Sequence, residues 1–281
     1  MRSSWTDRNA LYGAVACSQA CQAAGVQPII GMAAAVASPE TLSLADGAGP
    51  GLLVLLASGP EGYRSLCRLS SLIQGSPERQ ELAAQGLTWD VLKAHSAGLI
   101  CLSGGRRGWS ERCLRAGDRS AAQRYAGKLA GVYGERAFLA LELHRPEDTA
   151  VAQEISDIAQ RLGLATAAVQ PVYCLAPQER PRLRLLAAID LNCRLPDVPP
   201  AAQPGAGDPG VQVHWLHPDE VARRFAAFPA ALAGVARIVE QCQPALPDGQ
   251  TLLWPALKLP PGQTPDDALA QLAGTGLASR Y

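Results

Sequence analysis

The chain alternates between short continuous apolar runs and longer stretches in which apolar residues recur at helical spacing. The first helical stretch runs from Asn9 to Ala24, and Gly25 suits the left-handed position that ends a helix. Residues 28–32 (PIIGM) then form a short buried strand. Further strands are predicted at 51–58, 98–103, 138–143 and 164–169, and helical stretches at 61–73, 87–96, 119–134 and 147–163.

This alternation predicts an α/β fold in which helices pack outside a parallel sheet. The strand at 51–58 contains the run LLVLL, which has no polar position. A strand of this kind is buried on both faces, as in a barrel or a doubly wound sheet. Periodicity alone leaves both architectures open.

The sequence changes character after Asn192. Residues 196–210 carry too much proline and glycine for a regular element and are predicted to be a loop or linker. Helical stretches follow at 216–225, 228–242 and 264–281. We therefore predict an α/β domain over 1–195, a linker over 196–210 and a helical extension over 211–281.

Composition excludes some classes of function. The chain has 281 residues, and 25 Lys and Arg balance 25 Asp and Glu, so it lacks the broad basic field of non-specific nucleic-acid binders. Any DNA binding by the chain alone is expected to be weak. Eight cysteines occur without a CxxC pair, and no apolar run has membrane-spanning length, which favours a cytoplasmic protein without membrane contact.

Several motifs occur in an order that resembles a known family. Residues 6–31 (TDRNALYGAVACSQACQAAGVQPIIG) resemble the PHP (polymerase and histidinol phosphatase) domain of bacterial DNA polymerase III alpha subunits, with its TDH-like motif, "LYGAV" helix and "PIIGCE" strand. Residues 95–105 (HSAGLICLSGG) resemble its "EGLIALSGC", and residues 138–144 (FLALELH) take the place of its Glu-containing strand. The resemblance extends over nearly the whole chain and includes both the replicative and the error-prone branch.

The resemblance implies a distorted (βα) barrel followed by a small helical extension. It also implies that the first strand or strands of the barrel are missing, which would leave an open edge beside residues 28–32, and that the polymerase core is absent. Intact members carry a cluster of divalent metals such as Zn, Mn or Mg at the strand ends, which can support phosphoester hydrolysis. The implied partners are a proofreading exonuclease or other polymerase subunits, in DNA replication or translesion repair.

Most of the metal ligands that the resemblance implies are absent here. The paired His-x-His has no counterpart, and the other ligand positions are occupied by Arg8, Ala33, Gly105, Gln170 and Val172. The residual candidates are Asp7, Glu142 and His144. We therefore expect neither a bound metal nor a catalytic residue, and we expect Asp7 to pair with Arg8 or to accept hydrogen bonds from amides at a helix start.

Two alternatives to a non-catalytic polymerase region remain open. One is a metal-dependent phosphoesterase of the 3'-5' exonuclease type that uses the reduced site, and the other is a stand-alone interaction module. Separately, Arg106 and Arg107 lie in SGGRRGW, between a strand and a helix, where they are candidates for contacting a phosphate. Arg112 and Arg115 extend this local cluster of arginines.

Overall fold

The structure, a computed structural model, describes residues 2–38, 49–247 and 257–280. The strands of the described residues are β1 (Arg2–Arg8), β2 (Gln27–Val36), β3 (Gly51–Ala57), β4 (Leu99–Leu102), β5 (Ala137–Glu142) and β6 (Ala165–Val169). The helices are α1 (Ala14–Ala23), α2 (Pro60–Gln74), α3 (Arg79–Gln85), α4 (Trp89–Ala94), α5 (Trp109–Arg115), α6 (Arg119–Tyr133), α7 (Asp148–Leu162), α8 (Arg180–Asp190), α9 (Pro218–Arg224), α10 (Pro229–Gln241) and α11 (Pro265–Arg280). The predicted α/β class with following helices is confirmed.

The described strands form one sheet in chain order, from β1 to β6. β1 runs parallel to β2, and β4, β5 and β6 run parallel to one another. β3 is antiparallel to both of its neighbours. The prediction of a parallel sheet is therefore wrong at β3, which runs against β2 and β4.

The start of the chain also differs from the prediction. β1 pairs with β2 along its length, from Arg2 opposite Gln27 to Arg8 opposite Ala33, so the edge expected to be open beside 28–32 is covered. Asn9 does not begin a helix. It is buried with φ 54°, its amide donates to the Ala33 carbonyl at 3.0 Å, and its Oδ1 accepts from the Ala35 amide at 2.8 Å. Such a left-handed residue ends a strand sharply, and asparagine tolerates that conformation.

Both faces of the sheet are buried, as the apolar runs indicate. Alternate residues of β4 and β5 belong to two separate apolar clusters: Cys101 and Leu139 lie in the larger one, and Ile100 and Phe138 in the smaller. The larger cluster includes side chains from α2, α6 and α7, and the smaller one includes Ile238 of α10. Helices therefore cover the two faces of the same strands, and both sides exclude water.

Two compact units make up the chain, residues 1–246 and residues 247–281, and α11 lies in the second. The predicted boundaries at 195 and 210 both fall inside the first unit. There, residues 195–197, 200–202 and 204–207 form short 3-10 turns, and Val198 and Val211 are buried. No helix among the described residues is long and apolar enough to cross a membrane.

Candidate functional site

One edge of the sheet collects the charged residues singled out above. β1, β2, β4, β5 and β6 share one direction, so their carboxyl ends lie along the same edge. The turn at 105–107 follows β4, Glu142 ends β5, and Asp148 begins α7. These segments bring Arg106, Glu142, His144 and Asp148 into one hydrogen-bonded network.

Glu142 and His144 satisfy each other and their neighbours. His144 Nε2 lies 2.6 Å from Glu142 Oε1, and its Nδ1 accepts from the Gln212 amide at 3.2 Å. Since Nδ1 is an acceptor, the neutral ring carries its proton on Nε2 and donates to Glu142. The other oxygen, Glu142 Oε2, accepts from the Arg106 amide at 3.1 Å. Both ring nitrogens and both carboxylate oxygens therefore have protein partners.

Gly105 explains why the Glu142 carboxylate fits in this position. Gly105 has φ +56°, and a Cβ built on it would lie 2.2 Å from Glu142 Oε2. A side chain at this position would displace the carboxylate, and the backbone conformation is itself strained for any residue other than glycine. The space that a cysteine side chain would need is thus occupied by Glu142.

Asp148 is the centre of the network, although the sequence analysis did not identify it. Its side chain is only 1% exposed, and its Oδ1 accepts from Arg106 Nη1 at 2.8 Å and from Arg115 Nη2 at 2.7 Å. Its Oδ2 accepts from the amides of His144 at 2.9 Å and Arg145 at 3.0 Å. Burial alone would raise the pKa of Asp148, but the Arg115 hydrogen bond, the His144 amide and Arg106 hold it below its ordinary value.

Glu111 on α5 is a second buried carboxylate that the sequence analysis missed. It is 2% exposed and accepts from Arg115 Nε at 2.8 Å. Burial, and then the nearby charge of Glu142, raises the pKa of Glu111 to about 7, against the opposing effect of Arg115. Arg115 therefore bridges two carboxylates, Glu111 and Asp148, that differ in their tendency to ionise.

The end of the predicted linker and the residues directly after it fold back over this network. Asp208 forms an ion pair with Arg145 and accepts from the Gly210 amide at 2.9 Å. Gln170, at a position where the resemblance implies a metal ligand, donates to the Gln212 carbonyl at 3.0 Å. Arg224 of α9 donates to the Leu143 carbonyl at 3.1 Å. Gln212 thus contacts His144 after β5, Gln170 after β6 and Arg224 of α9, and Arg224 also binds the end of β5 directly.

Asp7 takes part in none of these contacts. Its Oδ1 accepts from Trp5 Nε1 at 3.0 Å, and its Oδ2 accepts from the Gly13 amide at 2.7 Å, directly before α1. Of the two roles expected for Asp7, the structure shows the hydrogen bond to an amide at a helix start.

Across residues 2–38, 49–247 and 257–280, no group of three His, Cys, Asp or Glu side chains could hold a metal ion. The residual ligands do not fit the metal cluster that the resemblance implies.

Arg106 and Arg107, adjacent in sequence, have different surroundings. The Arg106 guanidinium is paired with Asp148, whereas Arg107 has no hydrogen bond or ion pair in the part of the chain that the structure describes. Phosphate binding at these two arginines stays a prediction. The structure leaves the Arg107 side chain available for it.

Comparison with known proteins places the chain in a family. The model of the PHP domain matches residues 4–146. The DNA polymerase III subunit alpha of Bacillus subtilis is 28% identical over 277 residues, covering 98% of this chain and 23% of the relative. An error-prone DNA polymerase of Symbiobacterium thermophilum is 30% identical over 293 residues, covering 98% of this chain and 25% of the relative. The chain thus spans about a quarter of the length of the curated relatives it matches. The predicted resemblance is confirmed, and the chain belongs to the PHP domain family.

Proposed function

We propose that the chain is the PHP region of a DNA polymerase III alpha-like or error-prone polymerase protein and serves as a metal-free scaffold in DNA replication or translesion repair in the cytoplasm. The observation that carries this proposal is the closed hydrogen bonding of Glu142 and His144. A metal ligand must offer a free lone pair to the ion. Here the Nδ1 lone pair of His144 accepts from the Gln212 amide, its Nε2 carries a proton that it donates to Glu142, and each oxygen of Glu142 already accepts a hydrogen bond.

Charge supports the same proposal. The buried carboxylate of Asp148 is paired with the guanidinium groups of Arg106 and Arg115, two permanent cations. A divalent cation entering this network would face both arginines and would have to break a buried ion pair. The network therefore takes over the structural role of a metal cluster, since it ties β4, β5, α5 and α7 together without an ion.

Hydrolysis is the activity that separates this proposal from the phosphoesterase alternative. With Mn²⁺ or Zn²⁺ added, we expect no hydrolysis of a phosphodiester such as bis(p-nitrophenyl) phosphate above the rate in buffer. Glu142→Gln and the exposed control Glu61→Gln should both leave that background unchanged. A metal-dependent rate that is lost in Glu142→Gln and kept in Glu61→Gln would establish the phosphoesterase.

The scaffold role requires a contact surface, and α8 offers one. Leu185, Leu186 and Ile189 of α8 are 51%, 60% and 67% exposed, and Leu175 before it is 75% exposed. Clustered exposed apolar side chains mark sites of protein contact. Because the curated relatives are about four times as long as the part this chain matches, the partner we propose for α8 is the polymerase portion of such a protein.

Substitutions on α8 test this contact. We expect Leu185→Ser with Leu186→Ser to weaken binding of the chain to a separately expressed polymerase portion by at least about tenfold, as measured by calorimetry. The matched control is Leu269→Ser with Leu272→Ser on α11, where both side chains are also exposed. Equal loss in both double variants, or loss only in the α11 variant, would contradict α8 as the contact. Binding of the proofreading exonuclease subunit in place of the polymerase portion would identify a different partner and also contradict it.

A further inference from the structure

Two cysteine thiols lie next to each other on the surface of α1. The Sγ atoms of Cys17 and Cys21 are 3.9 Å apart, and both side chains are partly exposed. Residues four apart lie on the same face of a helix. The residues at 19–20 and 22–24 are exposed, so solvent reaches this face. The two thiols therefore form an accessible pair, and they share no residue with the hydrogen-bonded network around Asp148.

Helix geometry argues against a disulfide bond between these two thiols. The Cβ atoms of residues four apart on a helix are separated by about 5–6 Å. A disulfide requires a Cβ separation of about 3.5–4.5 Å, so α1 would have to distort to form one. Burial, and then the Cys21 thiol, raises the pKa of Cys17 to about 11, and a thiol that stays protonated reacts slowly with oxidants. The pair is better suited to holding an ion between its sulfurs than to forming a sulfur–sulfur bond.

The number of available ligands limits which ion this pair could hold. A structural zinc site takes four ligands in a tetrahedron. No group of three His, Cys, Asp or Glu in the part of the chain that the structure describes could hold a metal ion, so the two thiols have no third ligand there. Soft thiolate sulfur selects Cu(I), an ion that is stable with two ligands on opposite sides. With metal–sulfur bonds of about 2.3 Å, as for zinc, two opposed sulfurs would be about 4.6 Å apart, and the observed 3.9 Å would have to widen by about 0.7 Å.

We propose that Cys17 and Cys21 form a two-thiolate site that binds one Cu(I) ion on the exposed face of α1. Binding releases both thiol protons to solvent and transfers no electron, since the ion stays monovalent and the sulfurs stay reduced. The affinity should therefore fall as the pH falls, because protons compete with the ion for the thiolates. The site does not rest on the proposed scaffold role.

Competition with bicinchoninate, a chelator that is coloured only when it holds Cu(I), tests the site. The titration is run without oxygen and with ascorbate, which keeps copper monovalent and the thiols reduced. We expect wild type to withdraw one Cu(I) per chain from the chelator. Cys17→Ser and Cys21→Ser should each weaken this binding by at least about tenfold, because each removes one of two soft ligands.

Two control variants separate the pair from other thiols of the chain. Cys67→Ser removes a partly exposed thiol from α2 and should bind Cu(I) as wild type does. Cys21→Ser combined with Gln22→Cys keeps the number of thiols but moves one off the shared helix face, so it should bind as weakly as Cys21→Ser.

Failure of wild type to withdraw Cu(I) would overturn the proposal, and so would wild-type affinity in Cys21→Ser or in the variant with the moved thiol. Thermal unfolding shows whether each variant folds, and if Cys17→Ser does not, the two variants at Cys21 decide. The Glu142 and His144 network is tested separately with zinc, manganese and iron. A failure of the copper site is thus distinguishable from a failure of the scaffold proposal.

Discussion

Replacing Asp148 by asparagine is expected to lower the free energy of unfolding by about 3–5 kcal/mol, the usual cost of removing one partner from a buried ion pair. The substitution leaves Arg106 and Arg115 without their shared anion in a site where Asp148 is 1% exposed. It also weakens the acceptor for the amides of His144 and Arg145. Urea denaturation at neutral pH measures the loss.

The control for this prediction is Asp157→Asn on the same helix, α7. Asp157 is 43% exposed and lies 3.6 Å from Arg119, and exposed pairs of this kind contribute at most about 1 kcal/mol. A loss for Asp148→Asn as small as that of Asp157→Asn would show that the network does not stabilise the fold.

The second large effect is a change in the free energy of unfolding with pH, caused by Glu111. Because burial raises the pKa of Glu111 to about 7, from an ordinary value of 4.5, the folded protein holds a proton there that the unfolded chain releases at lower pH. This contribution to stability is fully present below about pH 4.5 and is lost as pH rises through about 7, a total of about 3 kcal/mol. Glu111→Gln mimics the protonated form, so we expect it to be more stable than wild type at about pH 8 and nearly equal to it at about pH 4.5.

Thermal unfolding across this range measures the effect. The contribution of Asp148 to stability changes with pH in the opposite direction. Because its pKa in the folded protein is lowered, this contribution is present above the ordinary pKa of an aspartate and is lost as the pH falls. Asp148→Asn should therefore lose its destabilising effect at low pH. Parallel stability curves for wild type and Glu111→Gln from about pH 4.5 to about pH 8 would show that Glu111 ionises normally in the fold.

Helices and strands were predicted correctly where the apolar residues follow a single helical or strand periodicity. The helical spacing at 61–73, 119–134 and 147–163 corresponds to α2, α6 and α7, and the run at 138–143 corresponds to β5. β1 was missed because RSSWTDR has almost no apolar residues, and its place in the sheet comes from pairing with β2 and not from burial of its own side chains. The direction of β3 depends on how the chain returns over several helices, which local periodicity does not encode.

The candidate site was predictable only in part. Glu142 and His144 follow from the resemblance and their position at a strand end, and the structure brings them into direct contact. Asp148 and Glu111 were not identified, because charged residues are usually exposed. The partners that allow Asp148 to be buried, Arg106 and Arg115, come from other parts of the chain. Glu111 and Arg115 form an i,i+4 pair on α5, a spacing that is equally common on an exposed helix face. For Asp148 the one available signal was an acidic residue in the first turn of a predicted helix, which is also typical of an ordinary helix start.

Metal content tests the central proposal most directly. The chain should be purified without chelators in medium supplied with zinc, manganese and iron, and its metals measured by elemental mass spectrometry after dialysis. We expect no stoichiometric metal in wild type, because both oxygens of Glu142 and both ring nitrogens of His144 have protein partners and two arginines oppose a cation. Tightly held metal at one or more ions per chain, reduced in Glu142→Gln, would contradict the metal-free scaffold.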